Sequence, residues 1–172
     1  MPYRTELEMY PAVCDWLSKF LTSRHRKTDV VVFDTSRKSL ARLIQEKGLH
    51  ENLPAEWPSW DIYVDVVGFA RVADSTTIAL VECKLGALTL SDLSQTIGYS
   101  RVVLPNYSVL LSPAGCSDSL RSLLSTFGRT DVLNYSMRHG EIAKSIAVAE
   151  WNESASCIEM GSTISGNDNT WR

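Results

Sequence analysis

Glu82 and Lys84 stand two residues apart at the end of Ile78-Ala79-Leu80-Val81, a run that is apolar on both faces of an extended chain. A strand apolar on both sides is central and covered. The two-residue period of a strand then puts Glu82 and Lys84 on one face and Cys83 on the other. Two ionised groups at the end of a buried strand are costly unless something compensates them; a hard cation and a water molecule would do so. Upstream, Asp61, Tyr63, Asp65 and Val67 share one face of a second extended stretch. A hairpin register setting Asp65 across from Glu82 would make a two-carboxylate pocket with a lysine beside it. Two carboxylates, with the main-chain carbonyl of Cys83 as a third oxygen, suit Mg2+ or Mn2+, which take oxygen ligands and keep several waters. Such a metal polarises a phosphodiester and lowers the pKa of a bound water. Lys84 would orient or deprotonate that water and stabilise charge building on phosphorus. An E-x-K triplet on a solvated face is ordinarily an exposed ion pair and nothing more. The apolar approach and the carboxylates upstream set this one apart, with Asp61 as the alternative to Asp65.

The elements that must position these groups follow from periodicity. Alternation over residues 61–72 and 76–84, with the short polar link Ala73-Asp74-Ser75 between, predicts an antiparallel hairpin. Before it, Thr5-Glu6-Leu7-Glu8 reads as a capping box, and Val13, Trp16, Leu17, Phe20 and Leu21 recur at helical spacing. Pro11 either starts that helix or bends an earlier turn. Asp29-Val30-Val31-Val32-Phe33 predicts a strand. Thr35-Ser36 is expected to cap a helix carrying Leu40, Leu43 and Ile44, which Gly48 stops. After the hairpin, Thr89 or Ser91 caps a helix carrying Leu90, Leu93, Ile97 and Arg101, ended by Pro105-Asn106. Residues 107–111 predict another buried strand. Ser117 opens a helix with Leu120, Leu123, Leu124 and Phe127, closed by Gly128, and weaker strands are expected at 132–135 and 145–151. The fold class is therefore α/β, a central mixed sheet flanked by helices with an antiparallel start. It forms one domain over residues 1–151, and the Ser-, Gly-, Asn- and Thr-rich stretch 152–172 reads as a loose tail.

Composition bounds the function. With 172 residues, 44 % of them apolar and 22 % charged, the chain can bury a real core and matches an ordinary globular protein. A net charge of −3 excludes a protein that coats nucleic acid by overall charge alone, but leaves room for a local basic surface. Cys14, Cys83, Cys116 and Cys157 are widely spaced and form no CxxC pair, so reduced, mostly buried thiols are expected rather than a disulfide framework or a zinc site. No apolar run approaches the roughly 18–20 residues that span a bilayer, and the opening MPYRTELEMYP is too polar for a signal peptide. A cytoplasmic location with no membrane partner is expected.

Asp65-Val66-Val67-Gly68-Phe69 and Val81-Glu82-Cys83-Lys84 together resemble the PD-(D/E)xK nuclease superfamily, in which an acidic strand precedes a hairpin partner ending in (D/E)xK. Val64 stands where the usual proline would be. The resemblance implies a restriction-endonuclease-like core and a Mg2+-dependent endonuclease acting on DNA in a restriction, repair or defence setting. Asp65 and Glu82 would be metal ligands and Lys84 catalytic. Gln95-Thr96-Ile97-Gly98-Tyr99 resembles the Q-x-x-x-Y signature on the following helix, which implies a catalytic role for Gln95; a spacing of four puts Gln95 and Tyr99 on one helix face. Glu6-Leu7-Glu8-Met9-Tyr10-Pro11 is similar to the opening of some bacterial-type branches, which implies that Glu6, rather than Glu8, points into the site. Otherwise both glutamates serve the positive end of the helix dipole.

Arg24, His25, Arg26 and Lys27, with Arg37-Lys38, are either solvated surface or phosphate contacts that position a backbone without reading sequence. Trp57 and Trp60 either pack beneath their loop or stack on bases. A cut through both DNA strands would call for a homodimer. The rival expectation is a catalytically inactive nucleic-acid-binding or scaffold protein with the same fold.

Overall fold

A computed structural model describes residues 3–136 and 144–166. Its centre is a six-stranded mixed sheet of Asp29–Asp34 (β1), Val66–Val72 (β2), Ser75–Cys83 (β3), Tyr107–Ser112 (β4), Ile146–Asn152 (β5) and Cys157–Ile158 (β6), ordered β1-β2-β3-β4-β5-β6. The first three strands run antiparallel, β3, β4 and β5 run parallel, and β6 returns antiparallel to β5. Helices Glu6–Arg24 (α1), Leu40–Lys47 (α2), Leu90–Val103 (α3) and Asp118–Arg121 (α4) flank it. The protein is thus α/β with the expected antiparallel start.

Side-chain alternation sorts the two faces. Met9, Tyr10, Val13, Leu17 and Leu21 of α1 pack on Val66, Val81, Cys83 and Val109. On the opposite face α2 covers Val67, Phe69 and Leu80, while α3 and α4 cover Leu110 and Val148. Gly68 points at α1: a Cβ there would lie 2.6 Å from Leu21 Cδ1 and 3.0 Å from Leu17 Cδ2. Glycine is what allows the helix to sit so close to β2.

The departures from expectation have local causes. The first hairpin strand begins at Val66 and not at residue 61, because the carbonyls before it are used elsewhere. Ile62 O accepts from Leu40 N–H at 2.9 Å and Trp60 O from Ala41 N–H at 3.1 Å, which satisfies the open N-terminal donors of α2. Helix α2 starts later than expected, with Ser39 rather than Thr35 or Ser36 at its N-cap position, and Thr35 bonds Val64 and Asp65 instead. Helix α1 starts at Glu6 and passes through Pro11, and Thr5 makes no side-chain cap bond. Glu8 reaches back to Arg4 N–H at 2.7 Å, so the capping box does not form. Thr89, not Ser91, caps α3, in a reciprocal box with Asp92.

Beyond β4, Ser117 does open a helix, but one α-turn passes into a π-turn, Ser122–Thr126. This rotates Phe127 off the apolar face and leaves it 74 % exposed. Thr130–Leu133 is 3-10 helix and not strand, with one bridge between Asn134 and Ser145. The stretch expected as a loose tail pairs with β5 as far as residue 164: Trp151 faces Ile158, and Val148 and Ile164 exchange both backbone hydrogen bonds. An open β5 edge supplies the donors and acceptors that this return satisfies. Residues 167–172 lie outside the described ones. All four cysteines are free, but only Cys83 is buried. Among the described residues no helix is long and apolar enough to cross a membrane.

Candidate metal and active site

The site forms where the C-terminal end of β3 meets the start of β2 and the first two turns of α1 and α3. The register pairs Val66 with Val81; one step further, Asp65 and Glu82 stand opposite each other. Asp65 is half-buried and its carboxylate is held by two donors: Tyr10 OH to Oδ1 at 2.6 Å and Cys83 N–H to Oδ2 at 2.8 Å. Its own backbone carbonyl accepts from Thr35 N–H at 2.9 Å.

Glu82 is 3 % exposed. Lys84 Nζ donates to its Oε1 at 2.9 Å and Gln95 Nε2 to the same oxygen at 3.1 Å. Gln95 Nε2 also reaches Tyr99 OH at 3.1 Å. Oε2 of Glu82 is buried with no hydrogen-bond partner among the described residues. Burial first, and the nearby charge of Asp65 second, push the Glu82 carboxyl up to about 7, against the pull of Lys84. Burial works to lower the Lys84 pKa, but the hydrogen bond and charge of Glu82 outweigh it and the pKa is raised, so this lysine stays an ammonium. Burial and the bond to Asp65 push the Tyr10 hydroxyl far up.

A buried carboxylate oxygen without a donor, beside a second carboxylate, fits a hard divalent cation better than it fits bare protein. The donor set is small. Among the described residues no three His, Cys, Asp or Glu side chains converge to hold a metal, which leaves Asp65, Glu82 and main-chain oxygen.

The sequence-derived residues sort accordingly. Asp65, Glu82, Lys84 and Gln95 come together. Glu6 is half-buried at the rim, close enough for its charge to raise Glu82 and Tyr10, whereas Glu8 is engaged with Arg4. Asp61 is exposed, with its N–H bonded to Ser59 O, so Asp65 is the acid at the site. The Cys83 thiol lies in the core beneath α1, and only the backbone of that residue can serve the site.

Trp60 is 1 % exposed and packs in the core under α2. Trp57 stacks on His50 with ring centroids 6.2 Å apart. Neither stands free as a stacking platform. The basic run at the end of α1 begins fourteen residues beyond Tyr10, about 20 Å along the helix axis; there His25 Nε2 meets Tyr107 OH at 3.0 Å and Arg24 covers the Phe20 ring at 5.4 Å. Lys38 is tied to Glu46 at 2.6 Å, and Arg37 is exposed.

Two residues of the site were not among those expected from the sequence to serve it. Tyr10 sits three residues before Val13 on the apolar stripe, and a hydroxyl on a buried stripe needs a partner, but nothing local names it. Thr35 reads as a helix cap. Comparison with known proteins returns no family model, no curated protein and no solved structure that matches the chain.

Proposed function

We propose that this protein is a Mg2+- or Mn2+-dependent nuclease with a restriction-endonuclease-like core, hydrolysing phosphodiester bonds of DNA. The observation that carries the reading is the meeting of Asp65, Glu82 and Lys84 at one end of the β2–β3 hairpin, with Glu82 Oε2 buried and unpartnered. The arrangement of α1, the antiparallel strands and an α3 carrying Gln95 and Tyr99 supports it.

Asp65 and Glu82 would hold the cation through their carboxylates, with the Cys83 carbonyl as a further oxygen. The bound cation would polarise the phosphate and lower the pKa of a water. Lys84, which donates to Glu82 Oε1 at 2.9 Å, orients the attacking water and meets the negative charge that builds on phosphorus. Gln95 fixes Glu82 Oε1 from the side, and Glu6 adds negative charge at the rim.

The test is DNA cleavage by the full chain with Mg2+ or Mn2+ and with EDTA, comparing wild type with Lys84→Ala. Metal-dependent cleavage that falls by about 10²-fold or more in the variant, with an unchanged circular dichroism spectrum, is expected for loss of one charge-stabilising group. Undiminished cleavage by Lys84→Ala sinks the mechanism.

A second reading, a catalytically inactive nucleic-acid-binding or scaffold protein with the same fold, is favoured by one observation: the net charge of −3. It predicts no specific Mn2+ uptake, which calorimetric titration reads directly.

A further inference from the structure

Asp65 stands one residue before β2 and outside its ladder, so strand pairing does not fix its carboxylate. Two donors from two other elements fix it instead. The Cys83 N–H belongs to β3; the other donor is the Tyr10 hydroxyl, 55 positions away in sequence, on α1. Tyr10 is 3 % exposed and its ring lies among Met9, Val13 and the α1 face of the sheet. The hydroxyl thus comes from a side chain immobilised by packing, on a helix whose seat is set by the bare backbone of Gly68 against Leu17 and Leu21.

We propose that Tyr10 is a positioning residue of this site: its hydroxyl holds Asp65 Oδ1 so that the carboxylate is set to share a divalent cation with Glu82. The inference rests on the metal reading above and adds α1 to it. A carboxylate accepting one donor on each oxygen cannot turn about its own axis, yet each oxygen keeps a lone pair for a cation. Partners that orient a metal ligand without touching the metal typically change affinity by about 10–100-fold when removed. A tyrosine that merely filled the core would not need its hydroxyl aimed at the Asp65 carboxylate.

The experiment uses the full chain as wild type and Tyr10→Phe, which keeps the ring and deletes the hydroxyl. Mn2+ affinity is read by calorimetry, and thermal unfolding is followed in EDTA and in Mn2+. The expected result is Mn2+ binding weakened by about tenfold or more, together with a smaller Mn2+-induced rise in Tm measured from the variant's own metal-free Tm. A packing role alone would lower the metal-free Tm and leave that increment unchanged, so the readout stands even if the variant is less stable. Wild type that binds Mn2+ with Tyr10→Phe binding it equally well overturns the role of Tyr10 and leaves the metal reading in place. Wild type that takes up no Mn2+ overturns both.

Discussion

Asp65 and Glu82 face each other one step beyond the last paired residues of the β2–β3 hairpin, Val66 and Val81. The β2–β3 pairing stops before them: Asp65, its carbonyl held by Thr35 N–H, turns its carboxylate toward donors from α1 and β3, while Glu82 stays in the sheet beside Leu110 of β4. Two carboxylates from one hairpin thereby differ in environment: Asp65 accepts two protein donors, and Glu82 keeps a buried oxygen with none.

The first prediction concerns pH. The Glu82 carboxyl moves from an ordinary 4.5 to about 7 in the folded protein. Between those values the folded state keeps a proton that the unfolded chain has released, so this group's contribution to stability falls as pH rises from about 4.5 to about 7 and is level outside that window. The shift corresponds to at most about 3 kcal/mol. In EDTA, the Tm of wild type should therefore drop more between about pH 5 and about pH 7.5 than that of Glu82→Gln. Parallel curves for the two proteins would show that Glu82 titrates normally.

Gln95 is exposed as a residue, yet its amide bridges Glu82 Oε1 and Tyr99 OH. Gln95→Ala removes one donor to the buried Glu82 carboxylate and should cost about 1–3 kcal/mol of stability, while lowering metal-dependent cleavage by about tenfold or more through loss of Glu82 orientation. Steady-state rates and urea unfolding of one preparation test both halves; an unaffected rate assigns Gln95 to the surface.

Close packing of α1 on β2 depends on Gly68. A methyl at that position meets Leu21 Cδ1 at 2.6 Å inside a core where Leu17 and Leu21 are fully buried. Gly68→Ala should cost about 1–3 kcal/mol. Leu21→Ala makes room at the same place, so the double variant should be less destabilised than the sum of the two singles. Chemical denaturation of the four proteins completes that cycle, and strict additivity would mean that the methyl does not meet Leu21.

Thr35 is 1 % exposed. Its hydroxyl donates to Val64 O, and its N–H holds Asp65 O at 2.9 Å. Thr35→Val keeps the shape and removes the hydroxyl, leaving a carbonyl short of a donor in a buried place, for a loss of about 1–3 kcal/mol. Thr35→Ser should recover most of that loss. If Thr35→Val unfolds with the wild-type midpoint in urea, the hydroxyl bond contributes nothing.

Part of the site was legible along the chain. The apolar run 78–81 ending in Glu82 and Lys84 fixes a central strand with both charges on one face, because the two-residue period of an extended chain is a local property. The start of α3 was legible to within two residues, as a cap at Thr89 or Ser91, and the structure selects Thr89 through its reciprocal bonds with Asp92. Gln95 and Tyr99 share a face through the spacing of that helix.

Only the tertiary structure decided what the carboxylates touch. Asp65 falls within the expected alternation of residues 61–72 but outside β2, since the carbonyls of residues 60 and 62 are taken by the N-terminus of α2, and a donor's choice among distant acceptors leaves no trace in local periodicity. The same holds for Tyr10, drawn to Asp65 across 55 positions by the packing of α1, for Thr35, and for the return of residues 157–164 to the open edge of β5. Spacing along the chain determined which side chains share a face; the docking of one element on another determined which of them meet, because burial rewards contacts regardless of how far apart their residues lie in sequence.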